Sequence, residues 1–590
     1  MAFSSTPIHL RSSPSRLYIT DIQSISSNHD ASEDCVTEDM DVLGASLHRL
    51  NDDVLLVLIH ILHTHLFCAL MSLSWTCKRL RALSASALFS RSHTKLRTPD
   101  ERAWMVPPTL FSLVRQARYF AFGDEPQWAT NPWLCGVLDP PPFFTDSLER
   151  MPRWSSITIQ QYAFSKHGVP WGTLQTVLSA PALRKLTVYK FLFAPRKLVP
   201  SEMFILANVS PLTSFTYIFG TLHTFDDPPA PTEIEALSSF LEAVCGTLET
   251  LELTAGSGPL DILERSQWPR LHTLKLSGRN RQPQLRSYAS LFATMPRLRV
   301  LALELHVKGP PVGLSVPPVS SSSFPWPELE HLFLPIPLPE DDEMYSQLPL
   351  SLQTLSLLSY PHFAQRHQYH VKTWDIKPPR PAFRVLQSIL QRCLASTHLT
   401  RLEIEYAVER RPREDLLRFV VDTCPHLQEL KLLRYRPDFL PDEPRYNRGS
   451  YRTWKSPQSL RYVLLRVRPF LCAELSVQTD IAHQLAPLTR LRMLWVNLDY
   501  ASTPGFNPYH VPPVYDKFCI TTLPSVALVF AQIMPPALQS VGIWVPSEFL
   551  KARCRWAVYR VERRVDGLPV GVREDGYEFA EIEELCYPVC

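Results

Sequence analysis

Residues 248–276 read LETLELTAGSGPLDILERSQWPRLHTLKL, and this stretch decides the fold. Leu248, Leu251 and Leu253 set out an L-x-x-L-x-L pattern that returns 23 residues later as Leu271, Leu274 and Leu276. In each copy the last two apolar positions alternate with polar residues, which predicts a short strand with one buried face. The first apolar residue anchors the turn that enters the strand. Further clear copies start at Leu298 (LRVLAL), Leu329 (LEHLFL), Leu352 (LQTLSL), Leu399 (LTRLEI) and Leu427 (LQELKL), at intervals from Leu248 of 23, 27, 31, 23, 47 and 28 residues. Looser copies start at Leu183, Leu212, Leu460, Leu491 and Leu538, and WSSITI at Trp154 opens the series. Between copies lie helical patterns such as Ile234–Val244, Phe383–Leu394 and Asp415–Val421. A unit of one strand and one helix buries its apolar side only against its neighbours, so the units must stack.

One strand plus one helix per 23–35 residues is the unit of a leucine-rich repeat. The expected fold is therefore α/β: a short three-helix N-terminal module followed by an irregular leucine-rich-repeat solenoid over 151–550. Cys245 and Cys424 stand three residues before Leu248 and Leu427, and Pro takes the neighbouring position in WPRL, MPRL and WPEL. In this register the outward strand residues line an inner, concave face. Arg401, Glu403, Tyr462, Trp495 and Trp544 are the candidate target-binding residues on it. Their mixture of aromatics and both charge signs suits a protein or peptide more than a phosphate backbone. Long Pro-, Ser- or His-containing loops are expected at 308–327, 361–382 and 434–458. Near the end, Arg555–Glu562 alternates like a strand, Asp566-Gly567 signals a hairpin turn, and Val570–Arg573 returns as its partner. Residues 551–590 thus read as a hairpin cap with an acidic tail from Glu574. Residues 93–150 read as a linker packing on the first repeat.

The composition narrows the classes of function. The chain has 590 residues, too many for one ordinary core, with 60 Lys and Arg against 57 Asp and Glu. So even a balance argues against a dedicated nucleic-acid binder. Gly is scarce at 18 residues, which makes a phosphate-cradling loop improbable, whereas 55 Pro punctuate short elements. The twelve Cys include no C-x-x-C, so a zinc ribbon is not expected, and a reduced cytoplasmic or nuclear setting fits. Residues 1–45 are Ser-rich, then acidic, with no periodic apolar face. They read as a disordered tail without a signal peptide.

Over 46–92 the pattern is helical. Asn51 is suited to N-cap a helix whose first turn carries Asp52 and Asp53. Val54, Leu55, Leu58, Ile59 and Leu62 follow at helical spacing, while Leu56, Val57 and Ile61 make the remaining faces apolar too. A second helix is expected through Leu66, Leu70 and Leu73. A third carries Leu80, Leu83, Ala87 and Leu88 inward, with Lys78, Arg79 and Arg81 outward. Three short helices cannot bury this much apolar side chain alone, so a partner is implied. Val54–Leu73 also approaches the length of a membrane span, which is the alternative partner.

The runs LNDDVLLVLIHIL and LFCALMSLSWTCKRLRALSASALF resemble an F-box. Asn51 stands where that family has Pro, Asp53 where it has Glu, and Thr76 where it has Val. Irregular, Pro-rich repeats with a C-x-x-L start behind such a module are similar to the large fungal F-box families. The resemblance implies a substrate-recognition subunit of a Skp–cullin–F-box type ubiquitin ligase, acting in ubiquitin-dependent degradation. It implies a Skp-type adaptor and a cullin–RING ligase as partners. Leu50, Val54, Leu55, Leu58, Ile59, Leu62, Leu73 and Leu80 are the candidate adaptor contacts. A repeat scaffold with no ligase role is the alternative.

No enzyme is expected. The sequence has no H-E-x-x-H, G-x-S-x-G, G-x-G-x-x-G or Walker A motif. His60, His63 and His65 interrupt an apolar helix and its following turn without an acidic second shell, so no metal is assigned to them. No cofactor, nucleic acid or membrane partner is expected.

Overall fold

The computed structural model describes residues 50–96, 106–121, 148–161, 168–169, 171–189, 192–194, 206, 208–219, 231–279, 287–306, 324–335, 339–358, 383–394, 398–407, 416–435, 478–497, 522–545, 555–565 and 567–579. The chain divides into two compact units, Met1–Ser90 and Arg91–Cys590. It is a mixed α/β protein. The tail over 1–45, most of the long-loop segments and the copy at Leu460 lie outside the described residues.

Among its described residues the first unit has three helices: α1 (Asp52–His65), α2 (Phe67–Thr76) and α3 (Lys78–Leu88). The Asn51 side chain accepts from the Asp53 N–H, so α1 starts where the sequence places it. Leu66, with φ −140° and ψ 61°, ends α1 and breaks the apolar run in two. At 14 residues α1 is about 21 Å long, well under the hydrocarbon thickness of a bilayer. Among the described residues no helix is long and apolar enough to cross a membrane. Arg79 was expected to face outward. Instead its guanidinium reaches back to the start of α1, bonding Asp52 Oδ1 from Nε at 3.0 Å and the Leu50 carbonyl from Nη2 at 2.7 Å.

The second unit is built on one sheet whose sixteen described strands follow in chain order. They are β1 (Arg91–Leu96), β2 (Gln116–Ala121), β3 (Ser156–Gln161), β4 (Lys185–Tyr189), β5 (Ser214–Ile218), β6 (Thr250–Thr254), β7 (Thr273–Arg279), β8 (Val300–His306), β9 (His331–Pro335), β10 (Thr354–Leu358), β11 (Arg401–Ala407), β12 (Glu429–Tyr435), β13 (Met493–Asn497), β14 (Ser540–Val545), β15 (Arg555–Arg563) and β16 (Pro569–Phe579). Strands β1–β14 pair in parallel, each with the next; β14–β15 and β15–β16 are antiparallel. Helices α4 (Trp171–Leu178), α5 (Pro231–Val244), α6 (Phe383–Leu394), α7 (Leu416–Thr423) and α8 (Leu523–Ile533) fall between strands.

The leucine pattern explains the register. Leu186, Phe215, Leu251, Leu274 and Leu301 lie side by side on adjacent strands, and Leu332, Leu355, Leu402, Leu430, Leu494 and Val541 continue the row. Every member of that row is fully buried. Side chains alternate along a strand, so a one-residue slip would turn the whole row to the other face. In most copies the first leucine closes a tight turn: Leu298 N–H donates to the Met295 carbonyl at 3.2 Å, and Leu427 N–H to that of Cys424 at 3.2 Å. Pro296 and Pro425 occupy the second position of these turns, where a fixed φ favours them. The residue before the Pro is buried in each case, whether Met151, Trp268, Met295, Trp326 or Cys424.

The sheet starts earlier than the sequence suggested. β2 lies inside the region expected to be a linker (93–150) and β1 straddles its start, beginning at Arg91 within the span expected to be helical; β2 carries the pattern in a disguised form, with Val114 and Ala117 buried at the leucine positions. The hairpin is also longer: β16 runs on to Phe579, so Glu574 belongs to a strand and not to a tail. In the first turn of α5, between β5 and β6, the buried Glu233 ties its helix to the segment after β4 and to β5. Its carboxylate accepts from Phe193 N at 2.9 Å, from Ala194 N at 3.0 Å and from the Tyr217 hydroxyl.

Candidate functional site

The candidate site residues fall on two surfaces, one in each unit. In the helical unit, Leu55 and Ile59 of α1, Leu70 of α2 and Leu80 of α3 are buried together with Ser74 and Ser84, whose hydroxyls bond backbone carbonyls one turn earlier. Leu55, Ile59 and Leu80 were candidate adaptor contacts. They are core, at 1–3% exposure, and present nothing to a partner in this conformation. Leu50, Leu58, Leu62 and Leu73 are partly buried, and Val54 is exposed.

Of the candidate adaptor contacts only Val54 belongs to the outward apolar surface, which is otherwise made by residues outside that set. Val54, Val57 and Ile61 form one stripe on α1 with Leu56 beside it; Phe67, Met71 and Trp75 form another on α2, with Leu66 at the junction. These eight are two-thirds of the twelve large hydrophobic side chains exposed among the described residues, and they fall within 22 positions. Trp75 is 81% exposed. Burying a side chain of this size yields roughly 1.5–3 kcal/mol. Eight partly exposed ones represent on the order of 10 kcal/mol of gross hydrophobic free energy, before the cost of association.

In the second unit the outward face of the sheet is where the alternation places it, but it is less open than expected. Thr187, Thr216, Ser356, Glu403, Glu405 and Asn497 lie on this face and are buried. Glu403 is the centre of a charge network. Arg401 donates to its Oε1 from Nε at 3.1 Å and from Nη2 at 2.6 Å, Ser356 donates to Oε2 at 2.8 Å, and Lys431 Nζ stands 3.9 Å away. Burial by itself would raise this carboxyl, but Lys431, Arg401 and the hydrogen bonds hold it down at about 2. Glu429, 3.3 Å from Arg401, is shifted up by burial against the pull of Arg401. A second network runs across β6–β8, where Lys275 stands 3.6 Å from Glu252 and 3.3 Å from Glu304.

Trp495 and Trp544 were candidate anchors, with the filling of a local groove in an end repeat as the alternative. At 8% and 6% exposure they are instead covered by Trp556 of β15, which meets both edge-on at ring separations of 5.3 and 4.9 Å. Leu433 and Val558 complete this cluster, and Lys431 lies 5.7 Å over the Trp556 ring. Of the five candidate target contacts, the structure brings Arg401 and Glu403 into one network beside Trp495 and Trp544. Tyr462 lies outside the described residues. Among the described residues there is no group of three or more His, Cys, Asp and Glu able to hold a metal ion. A scan against protein-family models and a search of curated proteins each returned no match.

Proposed function

We propose that this chain is the target receptor of a Skp–cullin–F-box type ubiquitin ligase. In this reading α1–α3 are an F-box that docks on a Skp-type adaptor, and the sheet unit is a leucine-rich-repeat solenoid that holds a protein target. The single observation that carries the proposal is the outward apolar surface of α1 and α2. A helical unit with its own buried core has no internal use for Val57, Ile61 and Trp75, whereas a helical partner would cover them. The unbroken run of parallel strands in chain order supports the solenoid. The chain itself would make or break no bond: the receptor holds a target lysine near the charged conjugating enzyme and raises its effective concentration.

The test follows the exposed stripe, not the buried one. Val57→Asp with Ile61→Asp is expected to reduce co-purification of a Skp-type adaptor at least tenfold while leaving helical circular dichroism unchanged. Undiminished capture of the adaptor by the double variant would overturn the assignment and favour a repeat scaffold with no ligase role.

A further inference from the structure

The charges on the sheet are sorted by position. Strands β1–β5 carry four basic residues, Arg91, Lys95, Arg118 and Lys185, and no acidic one. Strands β6–β12 carry five of each sign. The same asymmetry holds for the surrounding chain, since residues 91–218 contain 14 Lys and Arg against 8 Asp and Glu while the rest contains 46 against 49.

Register places the cations around one spot. Arg91 of β1 lies opposite Gln116, which continues through Ser156 to Lys185 of β4. Arg118 of β2 lies in the neighbouring row, continuing through Thr158 to Thr187. With strands about 4.8 Å apart, three cationic side chains surround two hydroxyl-bearing residues, Ser156 and Thr158, within a span of about 15 Å. Arg91 and Lys185 are exposed and Arg118 is half-buried. Burial and the neighbouring Arg91 charge both act to lower the Arg118 pKa.

We infer that the outward face of β1–β5 binds an acidic peptide segment, gripping carboxylate or phosphoryl groups. This rests on the reading of the sheet unit as a target-holding surface and names the chemistry of the target. A short anionic segment fits better than a nucleic acid. A polyanion following the sheet past β5 would meet Glu252, Glu304 and Glu403, whereas a peptide need be acidic only where it crosses Arg118. Guanidinium forks suit carboxylate and phosphate alike.

Fluorescence anisotropy on the full chain tests this with three labelled probes: hexaglutamate, a glycine-spaced bis-phosphoserine peptide and a 12-mer oligouridylate. At least one peptide is expected to bind, and Arg118→Gln with Lys185→Gln should weaken it at least fivefold. Lys275→Gln, on the same face within an ion-paired network, should change it less than twofold. The tighter of the two peptides identifies carboxylate or phosphate as the source of the anion. If the urea midpoint of the Arg118 variant shifts, the exposed pair Arg91→Gln and Lys185→Gln carries the same expectation. Binding of neither peptide, equal loss with Lys275→Gln, or binding of oligouridylate alone overturns the inference. Adaptor capture by the same samples separates the two ideas. Its retention without peptide binding sinks only this inference, and its absence with peptide binding intact sinks only the ligase reading.

Discussion

A methyl group at Gly542 has no room. Its Cβ would fall within the Trp495 ring, with Cζ3 only 2.7 Å away. Glycine is needed here for close approach, because the indole lies directly over the β14 backbone. Gly542→Ala is therefore expected to destabilise the C-terminal end of the sheet by about 1–3 kcal/mol, read as a lower urea midpoint by tryptophan fluorescence. Adding Trp495→Leu to the same chain should recover part of that loss, and a midpoint unchanged by Gly542→Ala would show that the ring moves freely. Glu403 sets a second residue-scale expectation. Its folded pKa of about 2 lies below the ordinary carboxylate value of 4.5. Its contribution is thus fully present above pH 4.5 and is lost as pH falls toward 2, on the order of 3 kcal/mol in all. Glu429 is shifted the other way and gains stability for the fold as pH drops, so whole-protein curves mix the two. Comparison with Glu403→Gln isolates the first: the gap in urea midpoint should be wide at pH 7 and close by pH 2.5. A gap independent of pH would contradict the charge network.

At the scale of elements, the hairpin β15–β16 does two jobs at once. It pairs with the outer edge of β14, which would otherwise present unpaired N–H and C=O groups. It also delivers Trp556 across Trp495 and Trp544. Ending the chain at residue 554 should therefore expose that edge and two indoles together. Size-exclusion chromatography is expected to show association of the shortened chain into larger species; a monodisperse monomer would mean that β14 is protected in some other way. The sequence revealed the hairpin through its alternation and the Asp566-Gly567 signal, but not its consequence. Trp556 is 61 positions from Trp495, and nothing in local periodicity tells that one will cover the other. The helical unit has the opposite difficulty. α1 is apolar on every side, so the spacing of Leu55 and Ile59 is as good a stripe as that of Val57 and Ile61. Only the packing of α2 and α3 decides which stripe is sealed.

For the whole molecule, the repeated leucines were enough to place the strands from β3 to β14, because each copy meets the same need at the same three positions. β2 escaped because Val114 and Ala117 meet that need without a leucine, and β1 because Ser92 takes the place of the central apolar residue. The buried Glu233 gave no sequence signal, since an acidic residue in the first turn of a helix ordinarily faces water. The strand order has a further consequence for how the protein is made. Each described strand after β1 pairs with the described strand before it, and β7, for example, begins 23 residues after β6. Ring closure over so short a segment costs little entropy. As the ribosome releases the polypeptide from its N-terminal side, each new segment meets a template already laid down. The protein can then fold during synthesis, with Trp556 settling over Trp495 and Trp544 only after β14 is in place.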